Sequence, residues 1–92
     1  MRQFLDMVPI PRRSYRLANT DGEGLLYNQQ TMALVHLNES ATVIWQLCDG
    51  RRTVEEIVDI LRSAYPGQTH RLETETHDAI REFDAHDMLD WG

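Results

Sequence analysis

The chain has 92 residues and a mass of 10.7 kDa, enough for one small domain and too little for an active site built between two lobes. Its nine basic residues are all arginine and are outnumbered by fifteen acidic ones, so the formal net charge is −6. This balance opposes nucleic-acid binding, because such binding depends largely on neutralising phosphates.

Cysteine usage and hydropathy predict a cytoplasmic protein. Cys48 is the single cysteine, so an intrachain disulfide is excluded and a reducing compartment is expected. The chain shows no charged start followed by an apolar signal-peptide core, and no apolar run approaches the roughly 18 residues of a membrane helix. We therefore expect neither a membrane nor a nucleic acid among its partners.

The first fourteen residues are predicted to form an extended arm ahead of a domain at residues 15–92. Proline fixes φ and disfavours helical backbone in the residue before it. Pro9 and Pro11 therefore predict extended backbone over Met7–Pro11.

Residues 15–37 predict three short strands in an antiparallel meander. The strands are expected at Tyr15–Asn19, Leu25–Asn28 and Met32–Leu37. An Asp-Gly pair within Thr20–Gly24 is typical of a hairpin turn, and two glutamines are expected to form a tight link between the second and third strands.

The alternation of the third predicted strand assigns its two faces. The set that leads directly into the first helix is expected to point toward the core: Ala33, Val35 and Leu37. The other set is more apolar than a solvated face requires, and it consists of Met32, Leu34 and His36. An unpaired edge on this last strand would invite another strand to pair with it.

From residue 38 the apolar period changes from two to about 3.6 residues, which predicts helices. Asn38 or Ser40 is expected to cap the first helix. Its apolar face is formed by Ala41, Ile44, Trp45 and Cys48, with Leu47 at the edge. Asp49-Gly50 is expected to end the helix, because glycine tolerates the left-handed conformation found there.

The second helix is predicted to begin with a capping box formed by Thr53 and Glu56. Its apolar stripe consists of Val54, Ile57, Val58, Leu61 and Tyr65. A third helix is predicted over Leu72–His86, with one face formed by Thr76, Ala79, Ile80 and Phe83. An apolar tail that folds back as a further strand or packs in the core is expected from Met88, Leu89 and Trp91.

Three strands followed by three helices predict an α+β domain with segregated layers. The element content is that of a winged-helix-like domain in which an N-terminal three-stranded antiparallel sheet is followed by three α-helices. Hydrophobic residues make up 41% of the chain, which allows one modest core for such a domain.

The side chains that usually carry catalysis or bind metals lack the required spacing. No spacing typical of a zinc site occurs among His36, His70, His77 and His86. Cys48 lies on an apolar helix face at a helix C-terminus, so we interpret it as a buried packing residue. A solvated acidic face is our interpretation of Asp78, Glu82, Asp84 and Asp87. We expect no enzyme activity, no metal and no cofactor.

Three classes of function remain open from the residues alone. Two helices joined by a glycine-containing turn are typical of a DNA-binding regulator, but the third helix is acidic. An unpaired edge of the third strand would bind an extended peptide, with Ile80 and Phe83 as walls of the groove. The third class is a structural subunit of an enzyme complex.

The segment LNESATVIWQLCDGRRTVEEIVDIL at positions 37–61 resembles the core signature of the PqqD-like proteins. Ile-Trp-x-Leu-Cys-Asp-Gly is its specific part, and the likeness covers residues Tyr15–Leu89, including the stretch GLLYNQQTMALVHLN. The third helix of the family commonly ends in a glycine-containing turn, where this chain has Asp87.

This resemblance implies a precursor-peptide (RiPP) recognition element at residues 15–92, a non-catalytic peptide chaperone. The leader of a ribosomally made precursor peptide would add as a strand beside the third strand and the third helix. The complex would then be presented to a modifying enzyme of the radical S-adenosylmethionine (SAM) type. Pyrroloquinoline quinone (PQQ) biosynthesis and lasso-peptide synthesis are among the pathways that the resemblance leaves open.

The resemblance also assigns the residues of the site, position by position. Peptide binding is assigned to Met32, Ala33, Leu34, Val35, His36, Ile80, Phe83 and Asp84. Contact with the partner enzyme is assigned to Asp49, Gly50 and Arg51, and core positions to Trp45, Leu47 and Ile57. The unpaired edge is compatible with a monomer or with an edge-mediated dimer.

Overall fold

The computed structural model describes residues 3–20 and 23–92. The predicted α+β architecture, a three-stranded antiparallel sheet followed by three helices, is confirmed. The elements in chain order are a 3-10 turn Phe4–Asp6, β1 Pro9–Pro11, β2 Tyr15–Thr20, β3 Glu23–Asn28, β4 Leu34–Leu37, α1 Glu39–Leu47, α2 Val54–Ala64, α3 Thr69–Ala85 and β5 Leu89–Trp91.

The main sheet has the strand order β2-β3-β4, and both neighbouring pairs are antiparallel. The predicted hairpin turn between β2 and β3 contains Asp21 and Gly22, which lie outside the described residues. Among the described strands β4 pairs with β3 alone, so it is an edge strand. Side chains of the inner face, such as Leu26 and Leu37, are buried in the core.

The third strand of this sheet begins two residues later than the sequence predicted. The side chain of Asn28 accepts hydrogen bonds from two backbone N–H groups of the following turn, at 2.9 and 3.2 Å. This holds the chain in a wider turn than two glutamines would make. Met32 has a φ of +62°, and β4 starts only at Leu34. The prediction that Met32 and Ala33 are strand residues is therefore wrong.

The residues that do form β4 alternate as predicted. Val35 is half-buried and Leu37 is buried on the inner face, whereas Leu34 and His36 are exposed on the outer face. Ala33, which was predicted to point inward, is exposed in the turn. The inward assignment is confirmed for the two strand residues and wrong for Ala33.

The ends of the first two helices follow the sequence signals. The side chain of Asn38 accepts a hydrogen bond from a first-turn N–H at 2.8 Å, and Thr53 and Glu56 form a reciprocal capping box. Gly50 has the expected left-handed φ, at +81°. Tyr65, predicted on the apolar stripe of the second helix, instead ends α2 and is 44% exposed.

The third helix begins at Thr69, three residues before the predicted start, and ends one residue earlier than predicted. The hydroxyl of Thr76, which is fully buried, donates to the carbonyl of Leu72 at 2.6 Å, so the helix satisfies this polar group itself. Asp87 follows the helix with a φ of +63°. This is the conformation that glycine adopts without strain, at the position where the family commonly has glycine.

The two ends of the chain meet in a second sheet. β1 pairs antiparallel with β5, so the extended backbone predicted over Met7–Pro11 is confirmed at Pro9–Pro11. The apolar tail folds back as a strand, and Met88 and Leu89 are buried. The division of the chain into an arm at residues 1–14 and a domain at residues 15–92 stays a prediction.

The core lies between the main sheet and the helices. Trp45 of α1 and Phe83 of α3 meet edge to face, with ring centroids 5.3 Å apart and an interplanar angle of 86°. Trp45 and Ile57 are core residues as predicted, and Leu47 is partly buried against the core. The Trp45–Phe83 contact links α1 to α3, the two helices that border the groove beside β4.

Gly24 is the point of close approach between β3 and α1. A Cβ at this position would lie 2.6 Å from Thr42 Oγ1 and 2.9 Å from Leu17 Cδ1. We expect Gly24→Ala to lower the free energy of unfolding by about 1–3 kcal/mol, because its neighbours must shift. Chemical denaturation measures this loss. The loss should shrink in a Thr42→Ala background, and an equal loss in both backgrounds would contradict the contact as its cause.

Candidate functional site

The free edge of β4 carries backbone groups that can pair with another strand. The N–H of Asn28 donates to the C=O of Ala33 at 2.9 Å, so these two residues, one position outside the β3–β4 register, take the place of a hydrogen-bonded pair. Such pairs alternate with non-bonded ones in an antiparallel ladder. The backbone N–H and C=O groups of Leu34 and His36 therefore face the free edge.

A groove of about 390 Å³ lies between β4, the beginning of α1 and one face of α3. Its apolar part is formed by Val35, Leu37, Ala41, Ile44, Ala79 and Phe83. Its polar part on α3 is formed by Glu75, Asp78, Glu82 and His86. The groove is thus apolar at its base and acidic along the helix.

Only one of the three helix residues predicted for the site lines this groove, and it is Phe83. Ile80 is fully buried in the core. Asp84 lies two residues after Glu82, about 200° around the helix. Its carboxylate accepts a hydrogen bond from Trp91 Nε1 at 2.8 Å, on another side of α3. A peptide-binding role for Ile80 and Asp84 stays a prediction that this geometry does not favour.

The groove-facing residues that the sequence interpretation missed form a stripe with helical spacing, at positions 75, 78, 79, 82 and 86. The signal was present, because residues three or four apart share a helix face. The sequence pattern places Asp78 and Glu82 on a solvated acidic face and Ala79 on the apolar face, so it divides this stripe between two faces.

The five residues Met32–His36, predicted to bind the peptide, lie in different parts of the structure. Val35 and His36 border the groove, although the His36 side chain is exposed on the outer face of the sheet, and Met32 and Ala33 lie in the turn. The Leu34 side chain is 67% exposed on the outer face of the sheet, opposite Tyr27 in the register. Leu34 therefore contributes backbone groups to the free edge rather than a side chain to the groove. The peptide-binding assignment of the five residues stays a prediction.

The turn predicted to contact a partner enzyme has structural roles of its own. The Asp49 carboxylate accepts hydrogen bonds from the Arg51 N–H at 3.0 Å and from Arg52 Nη1 at 2.8 Å. The Gly50 N–H donates to the carbonyl of Pro9 at 3.1 Å, which ties the turn to β1. Arg51 is exposed, and partner contact by this turn stays a prediction.

Cys48 is a buried thiol at the end of α1, as predicted. Burial, and next the negative charge of Asp49, raises its pKa to about 12. The value is about 8.5 in an unfolded chain, so the unfolded state loses this proton first as the pH rises. The protonated Cys48 thiol therefore makes its full contribution to the free energy of unfolding below about pH 8. This contribution is lost as the pH rises from the unfolded-state pKa to the folded-state pKa.

We expect iodoacetamide to alkylate Cys48 at least about a hundredfold more slowly in the folded protein than in denaturant at about pH 8, because the thiolate is the reactive form. Mass spectrometry of quenched samples measures both rates. Cys48→Ala serves as the unlabelled control. Similar rates in the two conditions would contradict the burial of this thiol.

Within residues 3–20 and 23–92, no group of three or more His, Cys, Asp and Glu residues is placed to hold a metal ion. In the same residues, no helix combines the length and apolar character needed to cross a bilayer.

The fold and the groove define a class of small α+β domains in which an open sheet edge lies beside a helix. Two solved structures share this fold. One, described as TbiB1 in complex with the TbiA(beta) leader peptide, has a TM-score of 0.74 and 25% identity, and the match covers 88% of this chain and 94% of that one. The other, a lasso peptide synthetase B1 complexed with the leader peptide, has a TM-score of 0.71 and 18% identity, covering 92% and 98%.

The sequence comparisons identify the family. The family model described as coenzyme PQQ synthesis protein D (PqqD) matches residues 23–89, and the chain therefore belongs to the PqqD family. A PqqA binding protein from Pseudomonas paraeruginosa is 43% identical over 65 residues, which are 67% of each chain. One from Acinetobacter baylyi is 33% identical over 69 residues, 75% of this chain and 70% of the relative.

Proposed function

We propose that this protein is a peptide chaperone that binds the leader of a ribosomally made precursor peptide by strand addition to β4. The observation that carries the proposal is the open edge of β4 beside the groove. Backbone groups of Leu34 and His36 would pair with the added strand, and the groove would take alternate side chains. Relatives named PqqA binding protein and neighbours solved with leader peptides support this role.

We also propose that the protein presents the bound peptide to a modifying enzyme of the radical SAM type. The family description supports PQQ synthesis or a related modified-peptide pathway. Asp49 and Arg51, two members of the predicted partner contact, are exposed on this turn. In this role the protein is a monomer when loaded, because the peptide occupies the edge through which two copies would pair.

We also infer that the protein is non-catalytic and cytoplasmic. The buried thiol of Cys48 supports both inferences, since its raised pKa makes it a poor nucleophile and it is a free cysteine. The alternative of a DNA-binding regulator is opposed by the carboxylates on α3, which would repel phosphates.

An amide NMR titration tests the proposed function. Peptides from short reading frames beside the gene are added to the ¹⁵N-labelled full-length protein, with a scrambled peptide of equal composition as the control. We expect saturable shifts at Leu34–Leu37 and along the groove-facing side of α3, from Glu75 to His86. If no such peptide shifts these amides at near-millimolar concentration, the proposal fails.

A further inference from the structure

The α3 side of the groove is lined by three carboxylates, of which one is paired with an arginine. Glu75, Asp78 and Glu82 line it, and no arginine is found among the described residues that do so. Glu75 accepts a hydrogen bond from Arg71 Nε at 2.9 Å. Within residues 3–20 and 23–92, neither Asp78 nor Glu82 forms an ion pair with an arginine. Glu82 Oε1 lies 3.9 Å from Nε2 of His86, which forms an ion pair with it only when the histidine is protonated. Two carboxylates are therefore available to a cationic ligand.

The spacing of these two carboxylates fits an extended peptide. Asp78 and Glu82 are four residues apart, which is about 6 Å along a helix at 1.5 Å per residue. Side chains on one face of a strand recur every second residue, at about 6.6 Å. A strand that runs along the groove can therefore place side chains i and i+2 next to the two carboxylates.

The base of the groove suits the stems of long cationic side chains. Val35, Ala41 and Ile44 form an apolar surface between the β4 edge and the acidic wall. Lysine and arginine bury their methylene stems on such surfaces and keep the charged group at the polar margin. The same arrangement is unfavourable for an acidic side chain, which would meet like charge.

We propose that the groove selects leader segments with basic residues at alternate positions, which face Asp78 and Glu82. This inference rests on the proposed function, because it requires a strand on the β4 edge. It names the chemistry of the preferred peptide: an extended segment with lysine or arginine at i and i+2. Acidic segments are rejected at the same positions.

The test is a selection of short random peptides, displayed on their own messenger RNA, against the immobilised full-length protein. We expect lysine and arginine to be enriched about three- to tenfold over the input library at alternate positions, which is the effect of two exposed ion pairs. The leading peptide is then titrated into ¹⁵N-labelled protein. Shifts at Leu34–Leu37 locate it on the β4 edge.

A matched pair of double variants separates local charge from net charge. Asp78→Asn with Glu82→Gln removes two charges from the groove, and Glu55→Gln with Asp59→Asn removes two from exposed positions on α2. The first pair should abolish the enrichment and lower the affinity of the leading peptide about tenfold, whereas the second should leave both unchanged. Added salt should weaken binding to the wild-type protein more than to the groove variant.

The possible results separate charge selection by the groove from the peptide binding at β4 on which it depends. Peptides that bind at β4 without basic enrichment, or with equal affinity for the groove variant, overturn charge selection and leave the peptide chaperone in place. A selection that yields no peptide bound at the β4 edge overturns the proposed function and this inference with it.

Discussion

Leu34→Pro is expected to lower the affinity for a leader peptide at least about tenfold while the domain stays folded. The N–H of Leu34 faces the free edge, so proline removes a donor that an added strand needs and that β3 does not use. One ladder hydrogen bond is worth about 0.5–1.5 kcal/mol net, and the proline ring also obstructs the approach of the strand. Peptide titration followed by fluorescence anisotropy measures the loss.

The neighbouring position provides the matched control. The N–H of Val35 faces β3, so Val35→Pro removes a hydrogen bond of the sheet itself and should destabilise the fold. Leu34→Ala keeps the edge N–H and should bind almost as well as the wild-type protein. Thermal unfolding followed by circular dichroism reports the stability of all three. Wild-type affinity in Leu34→Pro would contradict strand addition at this edge.

The features predicted correctly from the sequence are those that local chemistry determines. The caps at Asn38 and Thr53 depend on side chains that bond to backbone groups a few residues away. The left-handed turn at Gly50 depends on a single residue type. The PqqD resemblance in the helical segment is likewise carried by contiguous residues. Such signals are complete within a short window of sequence.

Most of the features that were missed depend on contacts beyond that window, and the turn after β3 is a local exception. The turn after β3 widens because one side chain, Asn28, accepts two backbone hydrogen bonds, whereas the pair of glutamines after it suggested a shorter link. The groove lies beside β4, the edge strand of the sheet, so the face of α3 that lines it depends on how the helix packs against that edge. Only the packing of Phe83 against Trp45 shows which polar residues lie beside that contact. The position of Ile80 in the core follows from the same packing.

Phe83→Ala is expected to cause the largest loss of stability among substitutions in the groove. Phe83 is only 4% exposed and packs edge to face on Trp45 at 5.3 Å. Truncation of a buried phenylalanine costs about 3–5 kcal/mol, because it leaves a cavity as well as exposing apolar surface. A domain of this size has a total stability of about 5–14 kcal/mol. Denaturant unfolding, monitored by tryptophan fluorescence, should show a much lower midpoint.

This loss must be separated from any direct effect on peptide binding, because Phe83 also lines the groove. If the bound peptide does not contact the ring, the apparent dissociation constant rises only by the inverse of the folded fraction. If the ring forms part of the binding surface, the affinity falls further after that correction. Ile80→Ala is the reference, since it removes a core side chain that does not line the groove. Equal corrected affinities for both variants would show that Phe83 supports the groove without contacting its occupant.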